Sequence, residues 1–190
     1  LARGGEPLEE RKVLYLLHGL SDDASAWQRY TNIEILAREH GLVVVMPSAG
    51  RSFYADMANG QAYFSYLTEE LPSLLAAAFR ISRAREKTFI AGVSMGGYGA
   101  FKAAFLRPDP FAAACSLSVV LALNMLLAPS DKVENQVLMH EFDLLFGGLD
   151  CLPNSLHDPM RWLKDAAKNP AALPRLQAVC GLDDDLLPLN

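Results

Sequence analysis

Phe89-Ile90-Ala91-Gly92-Val93-Ser94-Met95-Gly96-Gly97-Tyr98-Gly99-Ala100 decides the fold. An apolar run ends at Gly92, a serine follows with small residues on both sides, and a helical pattern continues at once through Phe101, Ala104 and Phe105. This is Gly-x-Ser-x-Gly between a strand and a helix, the context that a nucleophile elbow requires. The turn is so tight that side chains at Gly92 and Gly96 would collide with neighbouring backbone. The serine is pushed into a strained conformation with its hydroxyl exposed above the sheet. The start of the following helix points backbone N–H groups at any oxyanion formed there. Taken alone, the pattern also describes a serine in an ordinary glycine-rich turn. The strand before it, the helix after it and a second motif upstream select the elbow.

That second motif closes the first strand. Lys12 to Leu17 is short and nearly all apolar, as a strand buried on both faces of a parallel sheet would be. It runs into His18-Gly19-Leu20-Ser21-Asp22-Asp23. The backbone N–H of Leu20 is the candidate second oxyanion donor beside that of Met95, with Gly19 permitting close approach. His18 reads better as a histidine that hydrogen-bonds within its loop than as a proton carrier, although it remains a candidate at the substrate edge.

Strands and helices alternate along the rest of the chain. Helical patterns cover 23–30 and 32–39, the second with Asn32 as N-cap and Gly41 as C-cap. The strand Leu42–Met46 is stopped by Pro47. The loop Ser48–Tyr54 then lies at the carboxyl edge, where open α/β sheets bind ligands; Trp27, Ser52 and Tyr54 are therefore candidate substrate-binding residues, with loop packing as the plainer reading. Tyr63–Arg80 is helical with Pro72 near a start or kink, Lys87–Ala91 is the elbow strand, and Gly97–Leu106 is the elbow helix. A strand over Ala113–Val119 leads toward a buried helix within the apolar stretch Phe111–Ala128. That stretch is nearly long enough to span a bilayer, but Ser116, Ser118 and Asn124 interrupt it and prolines flank it. Helices follow over Asp131–Phe146 and Asp158–Ala167, the latter with Asp158 as N-cap and Pro159 in its first turn. The last strand is Arg175–Cys180. The order implies a single three-layer α/β/α domain over residues 1–190 with a mostly parallel sheet.

Composition bounds the function. The 190 residues are 51% hydrophobic, enough for one domain with a real core. A net charge of −5 gives no basic surplus for nucleic acid or an anionic membrane, so neither is expected as a partner. The three cysteines, Cys115, Cys151 and Cys180, lack metal-ligand or redox spacing and read as buried thiols of a reducing, cytoplasmic compartment. The polar start, without an initiator methionine or an apolar core, predicts no secretory leader and a true start farther upstream.

A serine hydroxyl needs a base to take its proton and an acid to orient that base. In the Ser, acid, His order the acid belongs in a loop after a late strand, and Asp183, Asp184 and Asp185 lie in such a loop. Clustering alone does not choose among them, and each is also a fair turn residue. All four histidines, His18, His40, His140 and His157, precede that loop, so none has the expected place.

These stretches, with Met46-Pro47-Ser48, Ser52-Phe53-Tyr54, Glu70-Leu71 and Cys180-Gly181-x-x-Asp184-x-Leu186, resemble the esterase family of α/β-hydrolases. That family takes in esterase D, S-formylglutathione hydrolase and the bacterial tributyrin and acetyl esterases. The resemblance implies Ser94 as nucleophile, Asp184 as triad acid, and the Leu20 and Met95 N–H groups as the oxyanion hole. It places the triad histidine a few dozen residues beyond the acid, past Asn190, and further strands before Leu14. These residues are thus expected to be incomplete at both ends. The family tends to carry Ser-Gly where this chain has Ser118-Val119. The expected activity is hydrolysis of short-chain acyl esters through an acyl-enzyme, without metal or organic cofactor, on a small-molecule ester substrate, with self-association open. A thioester hydrolase of the S-formylglutathione type shares the same motifs. A non-catalytic binding protein on a hydrolase-like fold is the reading from another class.

Overall fold

The computed structural model describes residues 7–119, 121, 123 and 133–189. Five strands, β1 Lys12–Leu17, β2 Leu42–Val45, β3 Thr88–Val93, β4 Ala113–Leu117 and β5 Arg175–Val179, form one sheet in the order β2-β1-β3-β4-β5. All four pairings are parallel. The register sets Leu17 beside Gly92 and Val93 beside Leu117, so the ends of β1, β3 and β4 finish side by side.

The helices are α1 Ala26–Tyr30, α2 Ile33–Glu39, α3 Tyr63–Ser65, α4 Leu71–Phe79, α5 Met95–Leu106, α6 Val133–Phe146 and α7 Pro159–Ala166. Between α3 and α4, Tyr66–Glu70 winds as a π-turn. Pro72, at the first turn of α4, has no N–H to give and would crowd the carbonyl four residues back; the wider π-turn just before it accommodates both effects. Asp158 caps α7 as expected, its side chain accepting the Met160 N–H. Asn32 does not cap α2 with its side chain; the Thr31 hydroxyl accepts the Ile33 N–H instead, at 3.2 Å. Gly41 follows α2 with φ +63°, which a glycine adopts without strain. The buried helix expected toward Ala128, and Asp131 at the start of the next, lie outside the described residues.

One sheet face carries the core. Val13, Tyr15, Leu17, Ile90 and Ala114 are buried on it beneath α5, most of whose residues are themselves buried. Burial pushes the Tyr15 hydroxyl up to about 12. Trp162 of α7 packs on Tyr98 and Phe105 of α5, with ring centroids 5.1 and 6.2 Å apart, joining the two helices. Of the three cysteines, all free, Cys115 and Cys180 are half-buried but Cys151 is exposed, so the expectation of three buried thiols is corrected at Cys151. Among the described residues no helix is long and apolar enough to cross a membrane.

Candidate active site

Ser94 stands between the end of β3 and the start of α5 at φ +53° and ψ −117°, a conformation that costs a residue with a side chain about 1–3 kcal/mol. The reason the turn can close is visible at its glycines. A Cβ on Gly92 would lie 2.3 Å from the Gly96 carbonyl oxygen, and one on Gly96 would lie 2.5 Å from that of Leu17. The second clash also shows how near the loop after β1 comes to the elbow. Ser94 donates its own N–H to the Leu117 carbonyl at 2.9 Å, which ties the elbow to the end of β4. Among the described residues no side chain hydrogen-bonds the Ser94 hydroxyl.

Leu20 sits in the loop after β1, half-buried, and Met95 opens α5. The Met95 N–H belongs to the first turn of a helix, where no carbonyl of the same helix can accept it. Gly19 is less constrained than its place suggests. A Cβ there would meet nothing closer than Asp22 Oδ2 at 3.5 Å, an ordinary contact, so the chain's own packing does not demand a glycine.

His18 is 1% exposed and fully engaged. Its Nε2 accepts the Ala49 N–H at 3.0 Å, which leaves the proton on Nδ1, 2.7 Å from the Gly19 carbonyl. It joins the loop after β1 to the loop after β2 and has no free nitrogen for a substrate. Tyr54 is likewise interior: it is 1% exposed, donates its hydroxyl to the His18 carbonyl at 3.2 Å, and lies where a Cβ on Gly99 would come within 2.5 Å of its ring. Burial holds its hydroxyl well above the usual range for a tyrosine. The placement of His18 and Tyr54 as substrate-binding groups is therefore corrected: both brace the loops behind the elbow. Trp27 is half-buried and donates Nε1–H to the Leu17 carbonyl at 3.2 Å. Ser52 is buried, with its hydroxyl accepting the Tyr54 N–H. It borders a cavity of about 200 Å³ shared with Arg51, Tyr63 and Glu141.

The structure separates the three aspartates. Asp183 and Asp185 are exposed, whereas Asp184 is half-buried. Its Oδ1 accepts the Leu186 N–H at 2.8 Å and its Oδ2 accepts the Ser118 hydroxyl. These two donors, the hydroxyl first, hold the Asp184 carboxyl below its ordinary value, so it is ionised at neutral pH. Ser118, whose place in the sequence marks a break in an apolar stretch and precedes Val119, is thus part of the same constellation.

His157 is turned elsewhere. Its Nδ1 lies 3.0 Å from Lys102 Nζ and its ring packs on Phe146. Lys102 is two turns along α5 from Ser94, about 12 Å of helix rise. Among the described residues no histidine ring contacts Ser94 or Asp184, and no cluster of metal-ligating side chains occurs.

A strained serine between a parallel strand and a buried helix, with an ionised carboxylate two strands over, defines a serine hydrolase of the α/β-hydrolase fold. The chain belongs to the family described as "Putative esterase", which matches residues 4–171. It is similar to an acetyl esterase of Caldicellulosiruptor saccharolyticus, 30% identical over 184 residues that cover 96% of this chain and 69% of that protein. Two solved Staphylococcus aureus structures share the architecture. The fluorophosphonate-binding serine hydrolase FphF has a TM-score of 0.84 and 35% identity, over 98% of this chain and 70% of that one. The S-formylglutathione hydrolase FrmB has a TM-score of 0.79 and 36% identity, over 98% and 69%. The protein is a carboxylic ester hydrolase by family.

Proposed function

We propose that the protein hydrolyses short-chain acyl esters, of the acetyl and butyryl type, through an acyl-enzyme on Ser94. The observation that carries the acyl-enzyme is the elbow geometry, in which the strained serine precedes the first free N–H of α5; the likeness to an acetyl esterase supports a short acyl group. Ser94 attacks the ester carbonyl and the N–H groups of Met95 and Leu20 stabilise the oxyanion, each worth a rate factor of roughly 10²–10³. Asp184 orients a histidine that takes the serine proton and returns it to the leaving alcohol. The resemblance places that histidine beyond Asn190. The substrate is a small molecule, and no metal or organic cofactor enters the chemistry. The free cysteines favour a cytoplasmic location.

The experiment is hydrolysis of p-nitrophenyl acetate by the full-length gene product. Ser94→Ala should remove turnover; undiminished turnover in that variant would sink the assignment. The likeness to FrmB favours a second reading, a thioester hydrolase acting on S-formylglutathione. The chemistry is the same, so relative kcat/KM on acetyl esters and S-formylglutathione separates the two.

A further inference from the structure

The carboxylate of Asp184 is not held by its own loop alone. Ser118 follows β4 and stands at φ +48°, a left-handed conformation that a residue with a side chain adopts only when its surroundings impose it. Its N–H donates to the Val179 carbonyl at 2.8 Å, extending the pairing of β4 with β5 by one rung. The turn this produces aims the Ser118 hydroxyl at Asp184 Oδ2, and the hydroxyl donates to it. One residue earlier, the Leu117 carbonyl accepts the Ser94 N–H. The dipeptide Leu117-Ser118 therefore fastens the elbow on one side and the carboxylate on the other.

We propose that Ser118 is a positioning residue for catalysis: its hydroxyl fixes the orientation of the Asp184 carboxylate and, through Leu117, the spacing between acid and nucleophile. This rests on reading Asp184 as the triad acid. The bonding arithmetic agrees. An ionised carboxylate offers about four lone-pair sites. Ser118 takes one on Oδ2, the Leu186 N–H takes one on Oδ1 and the Cys180 thiol, the weakest of the donors, takes a third, so one remains with which to accept an imidazole N–H. Without the hydroxyl the carboxylate keeps only the donors of its own loop and strand end, so its last torsion is less restrained, and it becomes more basic. A more basic partner holds the proton on the histidine more tightly, so the acid limb of the rate profile moves to higher pH.

Two substitutions separate the hydroxyl from the backbone. Ser118→Ala removes the hydroxyl and keeps the strained φ; Ser118→Gly removes the hydroxyl and relieves the strain. In the full-length gene product, with p-nitrophenyl acetate, both should lose about tenfold in kcat, the size of one charge-assisted hydrogen bond, with KM little changed. Both should show the acid limb of kcat/KM shifted upward, and both should raise the Asp184 carboxyl pKa followed by carbon-detected NMR. A merely structural role would instead make the two variants differ, since glycine relaxes the turn. In an Asp184→Asn background, Ser118→Gly should cost no further activity. If Asp184→Asn keeps wild-type turnover, the reading of Asp184 as the acid fails. If Asp184→Asn is inactive while both Ser118 variants keep the wild-type kcat and pH profile, that reading stands and the positioning role is overturned.

Discussion

Ser94 holds a conformation that glycine would occupy freely. Its φ of +53° and ψ of −117° mirror an ordinary extended conformation, and only the Cβ makes that mirror region costly. Replacing Ser94 by glycine should therefore stabilise the fold where replacement by alanine does not. We expect Ser94→Gly to exceed Ser94→Ala by about 1 kcal/mol, seen as a melting temperature about 2–4 °C higher. Equal melting temperatures would mean that no strain is held at the nucleophile. The restriction on Gly92 and Gly96 was legible because both positions belong to the Gly-x-Ser-x-Gly pattern itself, although the clash at Gly96 is with the distant Leu17 carbonyl. Gly97 and Gly99 were not legible. A Cβ on Gly97 would come within 2.7 Å of Ser116 Oγ, and one on Gly99 within 2.5 Å of the Tyr54 ring, and neither partner is near in sequence. The same holds for Asp184, which clustering with Asp183 and Asp185 left undecided and only the family resemblance selected. Ser118 of a neighbouring strand end singles it out, through a φ that no propensity foretells for serine.

At the level of the helix, α5 is apolar nearly all round, and such a helix is buried. Its one charged residue follows it inside: Lys102 is 2% exposed, with Nζ 3.0 Å from His157 Nδ1 and 5.0 Å above the Phe64 ring. Burial drives Lys102 down to about 7 against the opposing pull of Asp56, and burial followed by the Lys102 charge drives His157 down to about 4. Asp158, on the α7 side of Tyr98, is the other charge near this cluster. The folded pKa of Lys102 lies below its ordinary 10.5, so between about pH 7 and 10.5 the unfolded chain binds more protons than the folded one. Stability from this group rises with pH across that window, and its cost is fully present below pH 7. His157 acts with the same sign, costing stability as pH falls from 6.5 to about 4. Lys102→Met keeps the shape and removes the buried charge. Thermal melts should show the variant at least as stable as wild type at pH 6. Its advantage should shrink or reverse at pH 9, where a neutral lysine still donates to His157. Parallel curves for the two proteins would refute the account. Nothing along the chain foretells this pair beyond one lysine in an apolar helix. By contrast, the Asp158 cap and Pro159 of α7 could be read directly, because capping is a local transaction.

The whole molecule is governed by the direction in which its strands are added. From β3 through β4 to β5 the chain steps one way across the sheet, whereas β1 to β2 steps the other way. Right-handed crossovers then place α5 and α7 on one face and the α1–α2 connection on the opposite face. The strand sequences, apolar on both sides, predict two fully buried faces. The observed burial of β3 alternates instead, with Thr88 and Ile90 buried under α5 and Phe89 and Ala91 only half-buried on the other side. Periodicity reports what a strand is able to bury, not which neighbouring element arrives to bury it. Cys115 lies on this second face, in register with Ala91, and shares a shallow groove with Leu14, Phe89, Ala113 and Gln177. Its thiol is reachable from solvent, but burial pushes it up and so lowers the thiolate fraction. Cys151 is exposed, with a weak contact from its Sγ to the Gly147 carbonyl. In the folded full-length gene product an aromatic disulfide reagent near pH 8 should modify Cys151 before Cys115. Cys115 should follow more slowly but without denaturant, the sites being assigned by mass spectrometry of the labelled peptides. Modification of Cys115 only after unfolding would mean that the second face of the sheet is closed to solvent.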